Sequence, residues 1–166
     1  KDFELCPLQC YYKNYAPKAE RIKFVQNQYT KRGSALHKQL EIAVERYQRS
    51  QDIYWQDLDP VVVQTLTLIK PLLAKATAIF PGKRLAFSYS WTPGDWYATN
   101  GSTWLRVIMD LVLIFADEGS SGAGTTAFIP DYKTGKIRDD NVDQLELTAL
   151  TAFRYFPAVD EITTAF

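Results

Sequence analysis

Apolar residues recur at Leu36, Leu40, Ala43, Val44 and Tyr47, three or four positions apart, so residues 28–49 read as an amphipathic helix with one buried stripe. A second stripe, Val62, Leu66, Ile69, Leu73 and Ala76, follows Asp59-Pro60, which has the form of an N-cap and first helical residue. Pro71 is expected to kink or split this helix, and Pro81-Gly82 to end it. The period then changes. Leu85, Phe87 and Tyr89 alternate with Arg84, Ala86 and Ser88, as in a half-exposed strand. Residues 104–115 read as a longer apolar strand, and the Gly/Ser loop from Gly119 to Gly124 turns the chain back as a hairpin into 125–133. Asp140 caps a further helix, with Val142, Leu145, Ala149, Ala152, Phe153 and Phe156 on one side and Pro157 as its stop. Residues 159–166 form a last strand, and the aromatic-rich segment 3–15 reads as an N-terminal helical portion. This order predicts an α/β domain with a mixed central sheet flanked by helices.

Composition narrows the picture. A chain of 166 residues, 46% hydrophobic, fits a single domain over residues 1–166 with a core of useful size. Ending in an apolar strand suggests that a C-terminal segment follows in the natural protein. Lys plus Arg and Asp plus Glu both number 19, so any polyanion must be held by a local patch rather than by a net field. Apolar runs such as 107–115 fall short of the ~18 residues of a membrane span, and no signal peptide is visible, which points to a cytoplasmic protein. Cys6 and Cys10 read as free thiols.

Two features break the pattern. Asp110 interrupts an otherwise apolar run, where an unpaired buried carboxylate costs several kcal/mol and must find a positive partner. A salt bridge to Arg106 or Lys133 would serve, as would a position at the strand end with access to water or a cation shared with a neighbouring strand. Asp131 and Lys133, two apart at a strand end, point the same way. Taken alone, such a triplet is common and need be no more than an exposed pair entering a turn. His37 is the only histidine, with Glu41 one turn further along the same side of its helix.

In order along the chain, Phe3-Glu4-Leu5-Cys6-Pro7 with Tyr11-Tyr12, Arg32-Gly33-Ser34-Ala35-Leu36-His37 with Glu41, Asp110, Asp131-Tyr132-Lys133-Thr134-Gly135-Lys136 and Asp143-Gln144-Leu145 resemble the successive motifs of the RecB-like branch of the PD-(D/E)xK nucleases. The resemblance implies a restriction-endonuclease-like core and the activity of a standalone phage or bacterial exonuclease. By the same resemblance, His37, Asp110, Asp131 and the Tyr132 backbone carbonyl would hold Mg²⁺ or Mn²⁺, with Glu41 as a further candidate, while Lys133 would orient the attacking water and Gln144 would position Lys133 or the DNA backbone. Relatives with an iron-sulfur cluster use one early and three late cysteines; no Cys follows Cys10, so no cluster is expected in this chain. Lys136, Arg138 and Lys13 are candidate phosphate contacts, and Tyr11, Tyr12, Trp91, Trp96, Tyr97 and Trp104 candidate base-stacking groups.

The expected function is therefore metal-dependent DNA hydrolysis in recombination or repair, in a bacterial or phage-infected cytoplasm, at a free DNA end, and alongside a recombination protein or helicase. A non-catalytic DNA-binding or assembly module and a structure-specific endonuclease are the alternatives. Three positions depart from the family pattern. Val107-Ile108-Met109 precede Asp110 where a Gly is usual, Thr148 stands where a Tyr is common, and Pro130 lacks a strand donor.

Overall fold

The computed structural model describes residues 16–20, 28–98, 101–116, 124–133 and 141–166. The chain divides into two compact units, Lys1–Arg32 and Gly33–Phe166, where a single domain is expected from the sequence. The second unit carries the sheet. In chain order the elements are α1 (Gln28–Ser50), α2 (Pro60–Leu73), β1 (Ala78–Phe87), β2 (Leu105–Ala116), β3 (Thr125–Pro130), α3 (Asn141–Tyr155) and β4 (Val159–Ala165). The sheet order is β1-β2-β3-β4. The first two pairings are antiparallel, and β3 pairs β4 in parallel through the α3 crossover, so the sheet is mixed. The expected N-terminal helix, Cys6, Cys10, Tyr11, Tyr12, Lys13, Lys136, Arg138 and the Asp140 cap lie outside the described residues.

Helix α1 buries the expected stripe, Leu36, Leu40, Ala43, Val44 and Tyr47, and α2 buries Val62, Leu66, Ile69 and Leu73. Asp59 caps α2 by accepting a hydrogen bond from the Val61 amide at 2.9 Å. The helix runs through Pro71 and ends two residues later, so proline falls in the last turn instead of splitting the element. These helices cover one face of the sheet together with Leu111, Leu113 and Phe128. The opposite face packs Leu85, Phe87, Met109, Val112 and Ile129 against Ala152, Tyr155 and Phe156. The buried side of α3 is rotated from the expected stripe: Val142 and Phe153 are exposed, while Thr148 and Thr151 are buried. Both threonines satisfy their hydroxyls within the helix, on Gln144 O at 2.8 Å and on Leu147 O at 3.0 Å, and this removes the cost of burying them.

The strands differ from expectation in one informative way. Pro81-Gly82 does not close α2 but lies inside β1, where Gly82 has a φ of +55°. Met109 and Leu111 should share a face in a regular strand, yet they pack in opposite layers. Across the ladder, Phe80 belongs to the α3 side, and so does Lys83, whose ammonium lies 5.2 Å and 4.6 Å from the Phe80 and Tyr155 ring centres. Both strands therefore slip by one pleat, at Gly82 and Asp110. The slips are matched, since Pro81 opposes Leu111 and Lys83 opposes Met109. Their effect is to turn Asp110 and Leu111 together toward α1.

At the other strand ends the structure is shorter than the pattern suggests. Strand β3 stops at Pro130, leaving Asp131 to Lys133 just beyond it, and Trp104 and Phe166 also fall outside their strands. Pro130 costs no ladder bond to β2, because that pairing ends at Leu113 opposite Phe128. Tyr89 is exposed beyond the end of β1, and Ala86 is buried where the simple alternation would expose it.

Candidate active site

The pleat slip in β2 explains how a carboxylate lives in an apolar run. Asp110 Oδ1 meets His37 Nδ1 of α1 at 3.0 Å, and Oδ2 accepts from the Tyr132 amide at 2.9 Å. The neutralising partner is thus His37, rather than Arg106 or Lys133. Asp131 is anchored by its own backbone, whose amide donates to Ala165 O of β4 at 2.8 Å. Its side chain is ion-paired with Lys133. The Lys133 ammonium also donates to Gln144 Oε1 of α3 at 2.9 Å and lies 5.5 Å from the centre of the Phe166 ring.

Glu41 stands one turn beyond His37, held by Lys38 at 2.9 Å. Its carboxyl lies against Gly82: a Cβ at that position would sit 2.8 Å from Glu41 Cδ. Because Gly82 opposes Asp110 in the register, the glycine is what lets a third carboxylate approach the same corner. Sequence reasoning read Pro81-Gly82 as a helix stop and missed this role; a positive-φ glycine opposite the anomalous Asp110 is the signal that carries it. Beside His37 and Lys133 opens a mainly apolar groove of about 320 Å³, lined in part by Leu40, Ile69, Phe128 and Phe166.

Electrostatics follow from these contacts. The hydrogen bond to Asp110 raises His37, against the opposing effect of burial. Burial pushes Asp110 up, but the His37 bond and charge and the Tyr132 amide outweigh it and hold the group below the ordinary carboxylate range. Asp131 is raised, by burial first and by the nearby Asp110 carboxylate, with Lys133 pulling the other way. Tyr132 is raised by burial, and its hydroxyl has no hydrogen-bond partner among the described residues.

The Asp110 and Asp131 carboxyls are near enough to act on each other's ionisation, Asp110 helping to raise Asp131. Two such groups resist ionising together unless a proton or a cation relieves the repulsion. With an imidazole alongside, this donor set fits Mg²⁺ or Mn²⁺ chemically. As they stand, His37 and Lys133 occupy the carboxylate oxygens, and among the described residues no three His, Cys, Asp or Glu side chains are gathered round one point.

The signs of these shifts make a prediction. His37 and Asp131 have raised folded values, so the stability each contributes is present at low pH and is lost as pH climbs through those values, starting above 3.8 for Asp131 and above 6.5 for His37. Asp110, held low, contributes stability above 3.8 that is lost as acid protonates it. A cation bound beside Asp110 and Asp131 would relieve the high-pH loss by taking the place of the His37 charge. The rise in melting temperature on adding Mn²⁺ should therefore grow from about pH 6 to about pH 8.5. A rise of constant size across that range would mean that the cation binds without involving His37.

The described residues therefore bring together His37, Asp110, Asp131, Tyr132, Lys133 and Gln144, with Glu41 adjoining through Gly82. No described helix is long and apolar enough to cross a membrane. The chain matches no family model, no curated protein and no solved structure.

Proposed function

We propose that the chain is a metal-dependent DNA nuclease of the RecB-like PD-(D/E)xK type, with a restriction-endonuclease-like core, acting as an exonuclease. The observation that carries this reading is a lysine held by both Asp131 and Gln144, with a second carboxylate, Asp110, fixed by His37 and by the amide of Tyr132, the residue between Asp131 and Lys133. A salt bridge kept only for stability needs neither the second carboxylate nor a partner that aims the lysine.

Asp110, Asp131 and His37, with the Tyr132 carbonyl, would hold the cation, and Glu41, one turn along α1 from His37, is a further candidate. When bound, Mg²⁺ or Mn²⁺ lowers the pKa of the attacking water and offsets charge developing on the phosphate oxygens. Lys133 orients that water and donates to the charge that grows during in-line displacement. Gln144 keeps the Lys133 ammonium at one position, so little reorganisation is needed as the reaction proceeds. His37 fixes the orientation of Asp110, and the Tyr132 amide fixes its second oxygen.

End-labelled linear DNA and covalently closed circular DNA, incubated with Mg²⁺, Mn²⁺ or chelator, test the reading. Metal-dependent loss of the linear substrate alone is expected. Cutting of the closed circle would replace the exonuclease by a structure-specific endonuclease, and binding without cleavage of either substrate would leave a DNA-binding module.

A further inference from the structure

The matched slip in β1 and β2 has a second effect, on the half of the ribbon that extends past Asp110. Beyond the slip, Asp110, Ile108 and Arg106 share one face of β2, and Gly82, Arg84 and Ala86 share the same face of β1. Arg84 lies directly opposite Ile108, two residues or ~7 Å along the strand from the Asp110 level. Neither is covered by α1 or α2: Ile108 is 56% exposed, and Arg84 is exposed.

The loop after β1 is fastened over this face. Arg106 donates from Nε to Trp96 O at 2.8 Å and from Nη2 to Ala98 O at 2.7 Å. Arg84 rests on the Trp96 ring at 5.8 Å and donates from Nη1 to the Tyr97 hydroxyl at 3.2 Å. The one carboxylate in the loop, Asp95, is exposed and accepts from the Tyr97 amide at 3.0 Å in a local turn. Outward, this face presents the Arg84 guanidinium, the Tyr97 ring, which is 71% exposed, and the Ile108 side chain. This patch begins two residues along the strand from Asp110 and lies on the same face.

We infer that Arg84, Tyr97 and Ile108 form a subsite for the nucleotide adjoining the scissile phosphate, binding it as unpaired nucleic acid. This rests on the nuclease reading above. Arg84 pairs with the flanking phosphate, while Tyr97 and Ile108 take the face of the unstacked base. A protein partner fits less well, because the patch is small and Arg84 is already aimed by Trp96 and Tyr97. Duplex DNA would meet it with phosphates alone, leaving the ring and the Ile108 side chain without a partner. Base stacking on an exposed ring is tolerant of sequence and requires an unpaired base.

The test uses the intact protein with a fluorescein-labelled oligothymidylate and a duplex of equal length, in chelator, over a range of salt. Tyr97→Ala should weaken single-strand binding about 5- to 150-fold and duplex binding far less. Tyr97→Trp should restore it. Arg84→Ala should reduce the single-strand salt slope by ~0.7, and Arg84→Lys should keep it. In the cleavage assay the loss should fall mainly on KM. Unchanged binding in both alanine variants, or equal losses on single strand and duplex, would overturn the subsite. If at the same time the parent cuts DNA with metal and Lys133→Ala does not, the nuclease reading stands without it; a parent that neither binds nor cuts nucleic acid removes both.

Discussion

Replacing Lys133 by Ala is expected to lower metal-dependent phosphodiester cleavage about 10²- to 10³-fold while the protein stays folded. The ammonium is held from three sides, by Asp131, by Gln144 and by the Phe166 ring, so its donor is already aimed before substrate arrives. Removing a preorganised donor costs more in the transition state than in the ground state, and the loss should appear in kcat. Gln144→Ala should cost only about tenfold, because Asp131 still holds Lys133. The double variant should be no worse than Lys133→Ala alone, since Gln144 acts through the lysine. Losses that multiply would show that Gln144 contacts DNA independently. Undiminished cleavage in Lys133→Ala would sink the mechanism.

Gly82→Ala should destabilise the fold by about 2 kcal/mol or more, a fall of roughly 4–8 °C in melting temperature. Two costs add at this position. A left-handed φ of +55° costs an alanine about 1–2 kcal/mol. The new Cβ would also stand 2.8 Å from Glu41 Cδ, so the carboxyl has to move. Introducing Glu41→Ala into the same chain should recover the second cost but not the first, and thermal melts of the four proteins of that cycle separate the two. Gly82→Val should be worse than Gly82→Ala, because a β-branched residue fits this backbone least well. A variant that melts with the parent would show that β1 relaxes without strain and that the slip does not depend on glycine.

Much of this architecture could be read from the chain because periodicity reports burial. The structure buries all five positions of the α1 stripe and four of the five in the α2 stripe, Ala76 lying half-buried beyond the helix end. Asp110 was legible as an anomaly, and its convergence with Asp131 followed from β2 and β3 being neighbours. Its actual partner, His37, is 73 residues away on a helix, and no local pattern carries such a contact. The α3 stripe was misplaced because threonine counts as polar until its hydroxyl is bonded back to the helix. The slip at Gly82 was invisible for a related reason: Pro-Gly is a turn signal in isolation, and only the opposing strand shows that the chain continues straight through it. The Arg84 patch was unreadable because an exposed arginine means little without knowing which face it shares.

The anchoring of Asp131 to β4 also bears on when the protein becomes what it is. Its amide bonds to Ala165, near the end of a strand that pairs with β3 in parallel and can dock only after α3 has crossed the sheet. Parallel pairing across a crossover closes long loops and is slow compared with hairpin formation. On the ribosome, the β1-β2-β3 meander can assemble while the aspartate is still unfastened. The Asp131 corner is then a late product of synthesis, and on the proposed reading a chain made only as far as β3 carries no organised nuclease.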